Sequence, residues 1–160
     1  MNKATIISES GKQEIIIRRI FDAPRELVFK SWTDPESIPE WWGPSRLTTS
    51  VDKMEVRKGG IWRYIQRDSN ANEYVFNGVY HDVVSPERLI HTFEFEGMPG
   101  QIGLVTVTFE DEPEGKTMFT ETSLYPSVEA REAVLQSGMA EGATELMDRF
   151  AELLAKRQAL

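Results

Sequence analysis

The two histidines, His81 and His91, are the residues whose type and spacing come nearest to metal or acid–base chemistry. They lie in neighbouring segments that resemble β-strands. A metal site or an acid–base pair needs both imidazoles on one face together with a third group, and the acidic residues in range are Glu73, Glu94 and Glu121. Spacing alone does not bring these groups together. We therefore expect structural or surface roles for both histidines, and neither a metal nor a cofactor.

Other reactive groups are scarce in the sequence. There are no cysteines, which excludes disulfides, thiolate zinc sites and cysteine nucleophiles. No Gly-x-Ser-x-Gly nucleophile motif is present, and the Lys-Gly-Gly run at 58–60 indicates a tight turn rather than a phosphate-binding loop. We expect no catalytic residues, so the sequence favours binding over enzymatic activity, with catalysis by Glu121 or His91 as an open alternative.

Charge and composition narrow the class of partner. The chain has 160 residues, 26 acidic and 18 basic side chains and a net charge of −8. Such a charge repels nucleic acid unless basic residues cluster, and Arg18 and Arg19 point to opposite faces of a strand. No apolar run approaches the ~20 residues of a membrane span, and residues 1–12 lack the pattern of a secretory signal. We expect a cytoplasmic protein with a flexible lead at 1–12 and one domain at 13–160.

A succession of strand-like segments would have to position any functional site. The first is 13–21, rich in β-branched residues. Six more follow, separated by turns that contain Gly, Asn or Pro. Their close succession favours an antiparallel meander, because parallel neighbours need long crossovers. We therefore predict one sheet of seven strands, formed by 13–21 and by 47–56, 60–67, 73–84, 88–95, 101–110 and 116–124.

Two short helices are predicted between the first strand and the meander. Pro24 suits a first helical turn, which indicates a helix over 24–32. Asp34 is a suitable N-cap for a second helix over 35–42, which Pro39 should end or kink. These helices are expected to close one end of the curved sheet.

A long amphipathic helix is predicted from about 127 to 157, with Ser127 as its N-cap. No other element is long enough to cover the apolar face of the sheet. Gly138 and Gly142 lie four residues apart, which we interpret as a close approach of this helix to another segment. The alternative is a break near residues 137 and 138.

The aromatic residues suggest what the sheet and this helix enclose. Trp41 and Trp42 stand side by side, and adjacent helical side chains point about 100° apart. One is expected to pack inward and the other to edge an entrance, with core packing of both as the alternative. Rings at the seam of a curved sheet and a helix leave space for a small apolar ligand, with Tyr80, Thr106 and Glu121 as polar groups. The residues predicted to line this cavity are Trp32, Trp41, Trp42, Trp62, Tyr64, Phe76, Tyr80, Phe93, Thr106, Phe109, Phe119, Glu121, Met139, Ala143, Met147 and Phe150.

Four features carry a family resemblance: the Gly-Gly turn at 59–60 with the aromatic strand that follows it, and the stretches RIFDAPRELVFKSWTDPESIPEWWGP, GVYHDVVSPERLIHTFEF and MAEGATELMDRFAELL. Together, over about 13–156, they resemble bacterial single-domain relatives of the activator of the 90-kDa heat-shock protein ATPase, in the SRPBCC or START-like superfamily. The resemblance implies an α+β helix-grip fold (β-α-α-β6-α), in which a seven-stranded curved antiparallel sheet wraps a long C-terminal helix over a deep cavity. The chain departs from its relatives at Ala143, where they commonly carry Trp, and the smaller residue would enlarge the cavity.

The resemblance also suggests three functions for the protein. Members of the superfamily bind lipids, sterols, polyketides or plant aromatics, and some are cyclases or hydroxylase components. Because the sequence combines an aromatic seam with no catalytic constellation, we expect a non-enzymatic carrier or sensor of a small hydrophobic molecule. The alternatives are a chaperone-partner module of the activator type and a cyclase- or hydratase-like enzyme that uses the same cavity.

Overall fold

The computed structural model describes residues 3–159. It has an α+β architecture in which an antiparallel sheet faces a pair of C-terminal helices, as the helix-grip prediction required. A short 3₁₀ turn at Pro113–Gly115 joins two of the strands. The strands and helices are β1 Thr5–Ile7, β2 Glu14–Phe21, α1 Arg25–Trp32, α2 Ile38–Trp41, β3 Thr48–Met54, β4 Ile61–Arg67, β5 Glu73–Val84, β6 Arg88–Phe95, β7 Gly103–Glu112, β8 Lys116–Leu124, α3 Val128–Gln136 and α4 Met139–Gln158.

The sheet has eight strands in the order β1-β2-β8-β7-β6-β5-β4-β3, and every neighbouring pair is antiparallel. The prediction of seven strands missed β1, whose residues Thr5–Ile7 pair with Ile16–Arg18 of β2. These three residues belong to the segment 1–12 that was expected to be a flexible lead, and that expectation is wrong for them. β1 covers the edge of β2, which would otherwise leave unpaired backbone groups.

The two short helices lie between β2 and β3. Helix α1 follows Pro24, as predicted. Helix α2 begins later than predicted, because Asp34 stabilises a turn by accepting a hydrogen bond from the Glu36 amide at 3.0 Å. Pro39 therefore falls in the first turn of α2, where a missing N–H leaves no hydrogen bond unmade. The helix ends at Trp41, and the next residue, Trp42, has an extended backbone.

The predicted C-terminal helix is two helices. Ser127 caps α3 by accepting a hydrogen bond from the Ala130 amide at 3.0 Å, as expected. The helical segment is interrupted at Ser137 and Gly138. Gly138 has a φ of +85°, a left-handed conformation that glycine adopts without a steric penalty. A methyl group built on Gly142 would meet nothing within 4 Å. The interpretation of a close approach is therefore wrong, and the alternative of a break is correct.

Helix α4 packs unevenly along its length. Its buried residues are Met147, Phe150, Leu153 and Leu154, all of them beyond its first two turns. The Phe150 ring lies 5.2 Å from that of Phe21 and 4.7 Å from that of Trp41, and residues nearer the N-terminus of α4 are half-buried or exposed. One half of the helix therefore completes the core, and the other half stands over a gap.

Arginine side chains fix α4 to the segment around α1 and α2. Arg149 donates hydrogen bonds to the carbonyl oxygens of Gly43 at 2.6 Å and Glu40 at 2.7 Å. Arg157 donates to a carboxylate oxygen of Asp34 at 2.8 Å. These bonds hold the helix at a set position over the sheet. Within residues 3–159, no helix combines the length and the hydropathy that crossing a bilayer requires.

Candidate functional site

A cavity of about 840 Å³ occupies the gap between the inner face of the sheet and the helices α3 and α4. Small-molecule sites typically measure ~300–1,000 Å³. Its deep end lies against α1 and α2, where Trp41 is buried. Its mouth is marked by exposed lining residues, among them Arg46, Met98, Gln101 and Ser137. The cavity is thus closed at one end and accessible at the other.

Twelve of the sixteen residues predicted to line a cavity do border it. They come from β4, β5, β6, β8, α1, α4 and the segment around α2, which are far apart in the chain. That they contact a ligand remains a prediction. The twelve are Trp32, Trp41, Trp42, Trp62, Tyr64, Phe76, Tyr80, Phe93, Glu121, Met139, Ala143 and Met147.

The other four lie outside the cavity wall, and this part of the prediction is wrong. Thr106 alternates with the buried residues Val105 and Val107, so its side chain is on the outer face of β7. Phe109, Phe119 and Phe150 are at most 1% exposed. Their rings pack at centroid distances of 4.7–5.7 Å against each other and the aromatic residues of β2, α1 and α2, so they form solid core.

The adjacent tryptophans have different surroundings. Trp41 is 1% exposed, and its ring centroid lies 4.4 Å from that of Trp32. Trp42 is half-buried and meets the rings of Tyr64 and Phe76 edge-on at 5.0 and 5.2 Å. Both indoles border the cavity, one from the core at its closed end and the other against the strands β4 and β5.

The wall formed by β4, β5 and β6 is aromatic and includes the hydroxyl groups of Tyr64 and Tyr80. Burial raises the pKa of Tyr64 well above its usual value and that of Tyr80 to about 12. Both hydroxyls therefore stay protonated at neutral pH, and they interact with one another. The Trp62 ring lies between Tyr64 at 4.7 Å and Phe93 at 5.7 Å. This wall offers flat apolar surface with a few hydrogen-bonding groups.

The predicted lining left out several polar residues, of which His91, named from the sequence only as a catalytic alternative, is the most important. Its Nδ1 lies 3.0 Å from the Thr92 carbonyl oxygen, which can only accept, so Nδ1 carries the proton. Burial lowers the pKa of His91, so the ring is neutral at pH 7. His91 alternates along β6 with Leu89 and Phe93, which also line the cavity. This alternation in the sequence could have placed His91 on the cavity face. Gln66, Ser123 and Tyr125 were missed in the same way.

Glu121 borders the cavity from β8 and is surrounded by apolar strands. Burial raises the pKa of its carboxyl group from 4.5 to about 7. β7 separates it from His91 on β6, which places their strands ~10 Å apart. His81 is exposed, on the opposite face of the sheet from the inward-facing Tyr80. Among the described residues, no group of three potential metal ligands exists.

Comparisons with known proteins relate this architecture to a family. The family model described as Activator of Hsp90 ATPase homolog 1-like protein matches residues 22–155. A solved structure of a protein from Rhodobacter sphaeroides is 27% identical, with a TM-score of 0.88 over 96% of this chain and 99% of its own. A protein from Mycobacterium smegmatis is 23% identical, with a TM-score of 0.84 over 94% of this chain and 96% of its own. The AHSA1 protein from Silicibacter pomeroyi is 21% identical, with a TM-score of 0.72 over 90% of this chain and 99% of its own. No curated protein matches the chain.

Proposed function

The chain belongs to the family of Activator of Hsp90 ATPase homolog 1-like proteins, and we propose that it acts as a non-enzymatic carrier or sensor of a small hydrophobic molecule. The observation that supports this function most directly is the cavity of about 840 Å³, lined by aromatic side chains. A molecule such as a lipid, a sterol or an aromatic polyketide would occupy it.

The chemistry of the wall supports binding of this kind. Burying apolar surface contributes roughly 25 cal/mol per Å², and rings that are already held by their neighbours lose little freedom when a ligand arrives. Trp62 is held in this way by the Tyr64 ring of its own strand, and Phe76 by the Phe93 ring of the neighbouring strand β6. Affinity would come from apolar contact, and the few polar groups would set the orientation of the ligand.

A substitution that fills the cavity tests this function. Ala143 borders the cavity from α4, and an indole at this position would occupy part of the space. We expect Ala143→Trp to weaken ligand binding at least ~10-fold, because the ligand would have to displace the new ring. The measurement is an NMR titration of the tryptophan indole signals with fatty acids, sterols and aromatic polyketides, in which Trp42 and Trp62 should shift.

The matched control is Ala155→Trp, which adds the same side chain at an exposed position of α4. It should bind ligand as the wild type does. Phe109 and Phe150 lie outside the cavity wall, so their ring C–H signals, recorded in the same titration, serve as internal references. If no compound of the library shifts any indole signal of the wild type, the proposed function is wrong.

A second function, that of a chaperone partner, is favoured by the family description, which names activation of the Hsp90 ATPase. Under this hypothesis the protein would raise the turnover of the Hsp90-type ATPase of its own cell. A steady-state ATPase assay with and without the protein measures this. Because Ala143→Trp alters only the cavity, it should retain any stimulation carried by the outer surface. Unchanged turnover with the wild type would contradict the hypothesis.

A further inference from the structure

Glu121 is the only acidic residue among those that line the cavity in the described part of the chain. Its register partners on the two flanking strands are Ile17 and Val107, and both are buried apolar residues. The carboxyl group therefore interrupts a wall that is otherwise apolar at this level of the sheet.

No protein group described between residues 3 and 159 forms a hydrogen bond or an ion pair with the Glu121 side chain. Arg19, which lies diagonally across from it on β2, directs its guanidinium to Asp148 of α4 at 2.6 Å. Burial and the nearby Glu121 charge raise the pKa of Tyr125, but no hydrogen bond joins the two side chains. His91, two strands away, donates to a backbone carbonyl. None of these three neighbours donates to the Glu121 carboxyl group, although the Nε of Arg19 has no partner of its own.

The Glu121 carboxyl group can therefore accept hydrogen bonds that the protein itself does not donate. Glu121 is half-buried, with its remaining exposure toward the cavity that it lines, and a carboxylate that is partly removed from water without a partner is costly. Because Glu121 faces the cavity, the molecule in the cavity is in a position to satisfy it. A positively charged donor would satisfy it best, since it also neutralises the charge.

We propose that the cavity selects an amphiphilic amine, whose ammonium group donates to the Glu121 carboxylate while its apolar body lies against the aromatic wall. This inference rests on the proposed function and specifies the class of ligand. It makes Glu121 the residue that discriminates among hydrophobic molecules of similar size and shape.

The charges around the mouth agree with a cationic ligand. The chain has a net charge of −8, which attracts cations and repels fatty-acid anions. The only basic side chain among the described lining residues is Arg46, which is exposed. It interacts with the Glu145 carboxylate, which also accepts a hydrogen bond from the Ser45 amide at 2.8 Å. An acidic partner therefore offsets the positive charge at the mouth.

Three probes of matched shape test the inference: 2-(2-naphthyl)ethylamine, 2-(2-naphthyl)ethanol and 2-naphthylacetate. Titration at pH 8 keeps Glu121 ionised, because its pKa is about 7. We expect the wild type to bind the amine at least ~10-fold more tightly than the alcohol, and the acetate most weakly. Glu121→Gln should bring the affinities for the amine and for the alcohol to within ~2-fold of each other. Glu152→Gln, on the exposed side of α4, changes the net charge equally and should retain the preference.

The outcomes separate this inference from the proposed function. If the wild type binds the alcohol but shows no preference for the amine, or if the preference survives in Glu121→Gln, the amine inference is overturned and the binding function stands. If the wild type binds none of the three probes, both fail. Retained binding of the alcohol by Glu121→Gln shows that its cavity is intact, so loss of the preference then supports the inference.

Discussion

Gly78→Ala is expected to lower the free energy of unfolding by about 3 kcal/mol. Gly78 lies in β5 opposite Trp62 of β4. A methyl group added here would overlap both the Thr92 carbonyl oxygen of β6 and the Trp62 indole nitrogen. The carbonyl belongs to the backbone of a central strand, so it cannot move aside without disturbing the pairing of β5 with β6. Chemical denaturation followed by tryptophan fluorescence measures the effect.

The same substitution at Gly142 provides a matched control. A methyl group there meets nothing within 4 Å, and alanine favours a helix by roughly 1 kcal/mol over glycine. Gly142→Ala should therefore stabilise the protein slightly. If Gly78→Ala is as stable as the wild type, the close packing of Trp62 on β5 is wrong. Because Trp62 also borders the cavity, a folded Gly78→Ala protein should bind the naphthyl probes more weakly.

Glu121→Gln is expected to raise the free energy of unfolding at pH 8 by up to about 3 kcal/mol, with little change at pH 4. The pKa of Glu121 rises from 4.5 to about 7 because the charged form is desolvated. Between these values the folded protein holds a proton that the unfolded chain has released, so the contribution of this group to stability falls as pH rises and is lost above pH 7. A neutral glutamine does not undergo this loss.

The measurement is the difference in unfolding free energy between variant and wild type at a series of pH values from 4 to 8. Taking the difference cancels the titration of groups common to both proteins, including His91. Glu152→Gln, at an exposed site, should give a difference that does not vary with pH. A constant difference for Glu121→Gln would contradict the burial of its carboxyl group in an apolar wall.

The identity and order of most elements were predictable because they depend on local patterns. β-branched runs between turn residues gave the positions of seven strands, and Ser127 marked the start of α3. The missed strand β1 is an error of another kind, because a contact with a residue distant in the sequence determines its structure. Residues 5–7 become a strand only because the edge of β2 is available to them. The start of α2 is a local exception, because the turn at Asp34 delays that helix and so leaves Pro39 inside its first turn.

The sequence by itself determined that the chain would form an antiparallel sheet faced by a C-terminal helical segment, with aromatic residues between them. Which of these residues border open space was decided only by the tertiary structure. Phe150 and Ala143 both occupy α4, yet one fills the core and the other faces the cavity. The distance between helix and sheet at each point depends on contacts such as that of Arg149 with the Gly43 carbonyl, 106 residues away. Periodicity along one segment reports which side of it is apolar, but it carries no information on how far away the opposing surface lies.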